Sequence, residues 1–191
     1  MTLLILGLIL FLGTHSVRVL GEGPRSALQG RLGAGGYKGL YSLLSLAGLV
    51  LIVMGYGATR ENPQIVWIAP IWTRHVAALL TLVSFVLLAA AYVPGNAIKA
   101  RLRHPMVLGV KVWALSHLLA NGDLGSIVLF GAFLAWAVYA RISLKRRDGA
   151  PVIVPKGWGV GDAVALVVGT GVWAAFMFGL HFWLIGVPLI G

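Results

Sequence analysis

The chain has 191 residues, 59% of them hydrophobic and 10% charged, at a mean hydropathy of +0.93; a soluble domain carries about 25% charged residues, so the composition excludes a large soluble domain and reads as an all-α integral membrane protein. The net charge of +10 does not point to nucleic acid, because the basic residues crowd every second polar gap, as the positive-inside rule requires. There is no cysteine, which excludes disulfides, Cys-based metal sites and a thiolate haem ligand and leaves His15, His75, His104, His117 and His181 as the soft-metal or haem-iron ligands.

A membrane-crossing helix needs ~20 mostly apolar residues. Six segments meet that need: 2–20, 37–58, 71–93, 105–121, 124–142 and 161–187. The first has no basic stretch before it and no small-x-small site after it, so it reads as a retained helix, not a signal peptide. It carries "FLGTHSVRVLGE", in which Thr14, Arg18 and Glu22 fall near the face of His15 at three- and four-residue spacings. That patch reads equally as a polar helix end or as a ligand with a cation one turn away. Arg18, Arg25, Arg31 and Lys38 surround the gap that follows and place it in the cytoplasm. Glycine pairs such as Gly7/Gly13 and Gly55/Gly57 imply close helix packing.

The third segment opens with Arg74 and His75 at the outer interface, and the gap after it holds Lys99, Arg101 and Arg103. The fourth begins "RHPMVLG", with Pro105 suited to a first helical turn. His104 is interfacial there, and Lys111, seven residues on, snorkels toward the cytoplasm or neutralises a bound anion. His117 shares a face with Trp113 and Asn121, about one turn from the far end. An imidazole at that depth costs free energy and is a functional candidate by default. Across the Asn121-Gly122-Asp123 turn, Gly122 suits a left-handed C-cap and Asp123 an N-cap. The fifth segment leads into Arg141, Lys145, Arg146, Arg147 and Lys156, and 146–160 reads as a surface loop with Trp158 at the interface. His181, beside Phe182 and Trp183, lies near the outer end of the last segment in an aromatic belt. The expected architecture is one domain over 1–191, a bundle of about six transmembrane helices in the bacterial inner membrane, with both termini on the non-cytoplasmic side.

"RHPMVLGVKVWALSHLLANGD", with "FLGTHSVR" near the start and "LHFWLIGVPL" near the end, resembles the NnrU family of bacterial membrane proteins over essentially the whole chain. The same region is similar to the plant and cyanobacterial zeta-carotene isomerase. That resemblance implies a b-type haem held by two histidines, which fall on His15 and His117 here. Arg18 and Lys111 then stand as propionate or anion partners and Trp113 as a pocket wall. The isomerase carries a cysteine three residues before its second histidine, where this chain has Ala114, so a cysteine-dependent ligand switch is absent. The family is associated with denitrification and nitric oxide metabolism. A hydrophobic polyene or a small diatomic gas is the ligand class implied, and if the chain is an enzyme it is a haem-dependent isomerase.

Two axial ligands need similar depth, whereas these spans set His15 and His117 apart by on the order of 10 Å. A first helix continuing past Gly21 shrinks the mismatch, and tilt and the short fourth span also reduce it; without these, depth alone favours His117 with His75 or His181, whereas the resemblance keeps His15 with His117. Two other functions compete. "RHPMVLG" also resembles the RHPxYxG element of membrane methyltransferases, although Leu108 and the lack of paired downstream acids depart from it. A transporter or assembly factor without chemistry would make the histidines structural.

Overall fold

The computed structural model describes residues 1–148 and 157–189, with the backbone alone at Arg18, Leu20, Glu22 and Pro24. Among these residues all regular structure is helical: α1 (Thr2–Leu20), α2 (Glu22–Glu61), α3 (Ile71–Tyr92), α4 (Ala97–Leu102), α5 (Pro105–Ala120), α6 (Leu124–Asp148), α7 (Val160–Ala175), a π-helical turn (Phe176–Leu180) and α8 (His181–Ile185). Four helical stretches are long and apolar enough to cross a membrane: Arg25–Glu61, Ile71–Tyr92, Leu124–Asp148 and the continuous Val160–Ile185. Two expected spans correspond to shorter apolar helices, Thr2–Val17 and Pro105–Ala120.

The first polar gap differs from expectation, since residues 22–36 are helical and belong to α2. Ala27, Leu28, Gln29 and Arg31 are good helix formers, and Pro24 falls in the first turn, where proline is tolerated. The helix is broken at Gly33, whose φ of 68° and ψ of 166° are not helical. α6 likewise runs on to Asp148, into the stretch expected to be loop. The middle of that expected loop, 149–156, lies outside the described residues, and Trp158 beyond it is exposed.

The chain divides into two compact units, Met1–Ile68 with Asn121–Arg147 and Ala69–Ala120 with Asp148–Gly191. In the first, α1 and α2 run antiparallel at backbone contact. A Cβ at Gly7 would lie 2.6 Å from the amide nitrogen of Ile52, one at Gly48 2.7 Å from that of Phe11, and one at Gly55 would strike the backbone of Leu4. Gly13 and Gly57, expected to act likewise, meet nothing within 4 Å. α6 is fastened to this pair by polar links: Trp136 Nε1 donates to Ser16 Oγ (3.1 Å), Ser143 Oγ to the Val19 carbonyl (2.6 Å), and Tyr56 and Ser126 share a bond of 2.9 Å.

The 62–70 connection folds over the start of α6. The Gly122 carbonyl accepts the N–H groups of Val66 (2.8 Å) and Trp67 (3.2 Å), and Leu124 N donates to the Gln64 carbonyl (2.9 Å). Gly122 is therefore not the left-handed cap expected, as its φ is not positive; it is glycine because the Trp67 carbonyl occupies the space of a Cβ. Asp123 does cap α6, accepting from Ser126 N (2.8 Å) and Ser126 Oγ (2.6 Å).

In the second unit α3 packs on α5 and α7. Ser84 Oγ donates to the Gly109 carbonyl (2.8 Å), and a Cβ at Gly169 would meet the backbone of Val86 at 2.5 Å. Trp173 Nε1 donates to the Ala78 carbonyl (2.9 Å). Asp162, only 1% exposed, closes the base of the unit. Its carboxylate accepts the N–H groups of Ala97 (2.8 Å), Ile98 (3.1 Å) and Gly159 (3.0 Å), so one side chain serves the first turns of both α4 and α7.

Candidate haem-binding histidines

An α-helical histidine can turn its Nδ1 back toward the carbonyl four residues earlier. His15 does so, donating Nδ1–H to the Phe11 carbonyl at 2.7 Å. His117 does the same to the Trp113 carbonyl at 2.9 Å, with Ser116 Oγ 3.3 Å from the same nitrogen. The backbone bond selects the tautomer whose lone pair lies at Nε2, which is how proteins prepare a neutral imidazole for iron or zinc. Both residues also carry an aromatic ring at the i−4 position: the Phe11 and His15 ring centroids are 4.2 Å apart, and those of Trp113 and His117 5.1 Å.

His15 stands in the first unit within an aromatic surround. Tyr41 of α2 lies 5.3 Å away between centroids and Trp136 of α6 presents its edge at 6.4 Å. Phe133 extends the wall from Phe11 at 5.9 Å, and Tyr37 from Tyr41 at 6.1 Å. The next residue, Ser16, donates to the Leu12 carbonyl (2.6 Å) and accepts from Trp136, so the indole is locked beside the imidazole. On α2, one turn from Tyr41, the buried Ser45 hydroxyl has no hydrogen-bond partner. The side chain of Arg18 lies outside the described residues. α1 ends at Leu20, with Gly21 at φ 140°, so the continuation that would bring His15 toward mid-membrane does not occur.

His117 belongs to the second unit, as do Trp113 and Lys111, the latter on α5 and half-buried. His181 belongs to the same unit. His181 follows the π-helical turn, which rotates it relative to α7. Its Nδ1 donates to the Val187 carbonyl at 2.8 Å, drawing the C-terminal residues back over the helix. An apolar groove of about 420 Å³ lies beside it, lined by Met177, Phe178, Gly179, Phe182, Pro188 and Leu189.

The other two histidines are occupied differently. His75 is exposed at the start of α3. His104 follows Arg103, a non-glycine residue at φ 62°, and its Nε2 lies 2.6 Å from Asp148 Oδ2. That contact takes up the histidine of the RHP element with a surface carboxylate. Among the described residues no group of three or more His, Asp or Glu side chains forms a metal cluster; an axial haem site asks for only one or two histidines. Each of these two imidazoles, His15 and His117, with Nδ1–H on a backbone carbonyl and its lone pair at Nε2, has the donor chemistry a haem ligand needs and lies against aromatic surface.

Tyr41, Trp136 and Ser16 were not among the residues singled out by sequence. The first two lie 26 and 121 positions from His15, and nothing local links them to it. Asp162 had a local signal in its place at the third position of a helix after Gly159.

Comparison with known proteins gives one family: the profile described as "NnrU protein" matches residues 3–189. No curated protein and no solved structure matches the chain.

Proposed function

The chain belongs to the NnrU family, and on that footing we propose that it is a haem b-binding inner-membrane protein with redox or isomerase-type chemistry, linked by resemblance to denitrification and nitric oxide metabolism. The observation that carries this reading is the shared geometry of His15 and His117, each with Nδ1–H committed to the carbonyl of an aromatic residue one turn earlier. In this reading the chain crosses the membrane six times, with both termini on the non-cytoplasmic side. The antiparallel backbone contact of α1 along α2 supports a spanning role for the shorter first helix.

His15 and His117 would hold the iron. When bound, a b-type haem supplies a one-electron couple and a centre for a diatomic gas or for electron exchange with a conjugated polyene. The residues of the chain do the rest. The two backbone bonds orient the imidazole planes and select, in the neutral ring, the tautomer with its lone pair at Nε2. Phe11, Tyr41 and Trp136 pack around His15, and Trp113 packs against His117, giving each imidazole apolar neighbours. Arg18 and Lys111 supply positive charge for propionates or an anionic ligand.

A second pairing, His117 with His181, is favoured by their place in one compact unit. Absorption spectra of the detergent-purified protein, oxidised and ferrous, distinguish the two. With haem supplied during growth, the wild type shows a b-type spectrum. His15→Ala and His117→Ala both lose or shift it, and His181→Ala leaves it unchanged. A spectrum that survives His15→Ala and is lost in His181→Ala transfers the second ligand to His181. A colourless wild type sinks the proposal.

A further inference from the structure

The connection between α2 and α3 reads NPQIVWIAP over residues 62–70 and carries no charge. Water-facing connections are usually built from Gly, Pro, Asn, Asp and Ser. Here Ile65 is 62% exposed, Val66 60% and Ile68 86%, with Trp67 beside them. The segment is not a loose loop. Its antiparallel bridge between Ile65 and Asp123, and the three backbone hydrogen bonds at Gln64, Val66 and Trp67, strap it to the first turn of α6. Exposed branched aliphatic side chains on a fixed backbone call for an apolar environment outside the protein.

We propose that this strap is an interfacial lipid anchor. Ile65, Val66 and Ile68 enter the boundary between headgroups and acyl chains at the Glu61 end of α2, with Trp67 at headgroup level. Four observations lead there. The strap begins where Arg60 and Glu61 close the apolar run of α2, which sets its depth at the edge of the hydrocarbon. α2 itself exposes apolar side chains, among them Val53 and Met54, in the run that leads to the strap. The N–H groups of Val66 and Trp67 are both taken by the Gly122 carbonyl, which lowers the cost of moving this backbone out of water into the interface. It brings no charge to be desolvated, and indole favours this zone. The occupant is a bilayer surface, and the inference rests on the reading that the helices cross one.

The cysteine-free chain allows a direct test. Nitroxide labels are placed singly by Ile68→Cys, Val53→Cys and Lys145→Cys in the full-length protein, reconstituted in phosphatidylethanolamine–phosphatidylglycerol vesicles. All three positions are exposed, so the fold tolerates the labels. Collision rates are then compared for oxygen, which concentrates in acyl chains, and for a water-soluble nickel chelate. The Val53→Cys label favours oxygen strongly, the Lys145→Cys label favours the chelate, and the Ile68→Cys label favours oxygen to an intermediate degree. An Ile68→Cys label that matches Lys145→Cys places the strap in water and overturns the proposal. One shielded from both reagents shows cover by another protein or a second copy, and overturns it equally. If Val53→Cys itself fails to favour oxygen, the bilayer reading of α2 fails and the anchor falls with it.

Discussion

At the scale of single residues, the polar side chains among the helices are joined by short hydrogen bonds whose loss has a defined cost. Ser126 accepts from Tyr56 and donates to Asp123. Ser126→Ala would strand the Tyr56 hydroxyl and remove one cap bond, costing about 1–3 kcal/mol. Tyr56→Phe removes only the outer partner and costs about 1 kcal/mol. Thermal unfolding in detergent should rank the two in that order. Asp162 is more exposed to mutation, because two backbone N–H groups of α4 and one before α7 depend on its carboxylate. Asp162→Ala should destabilise by at least the roughly 1–3 kcal/mol of one stranded donor, and Asp162→Asn by less, since an amide oxygen still accepts. Equal melting of Asp162→Ala and wild type would show that water takes over the cap. His15 and His117 were legible in the sequence as imidazoles in greasy stretches. Their surround was less so, because Tyr41 and Trp136 reach His15 only after α2 and α6 have packed on α1.

Among the elements, the α1–α2 contact makes the sharpest stability prediction. Gly7, Gly48 and Gly55 face backbone, where an added side chain has nowhere to go. Overpacking of this kind costs about 1–3 kcal/mol and occasionally more. Gly48→Leu should therefore lower the unfolding midpoint in a denaturing-detergent titration. Gly13→Leu and Gly57→Leu, with open space around them, should change stability by about 0.5 kcal/mol or less. A glycine on an apolar helix announces itself, but which face it lies on relative to its partner follows from the register of two helices. That is why only one member of each expected pair lies at the contact. Helix positions were legible where hydropathy marks them. The early start of α2 was not, because a charged stretch rich in helix formers reads as a gap until Gly33 supplies the only break. α4 is six residues long, too short for periodicity, and is held by an aspartate sixty-odd residues away.

For the molecule as a whole, the apolar composition and the alternation of basic gaps made a membrane protein legible from the sequence, and the profile match over 3–189 identifies its family. The division into units was not legible, because it does not follow chain order. The first unit takes residues 1–68 and then, after a long interval, 121–147. This has a consequence for biosynthesis. A ribosome delivers α1 and α2 early, and their glycine contact needs nothing further. Trp136, which flanks His15, and Asp123, on which the 62–70 segment is fastened, emerge only after α3, α4 and α5 have been made. A nascent chain stopped at residue 120 therefore holds both proposed axial histidines but lacks the indole that shields the first of them. The surround of His15 is thus complete only once α6 has been made and packed on α1, long after synthesis of the histidine itself.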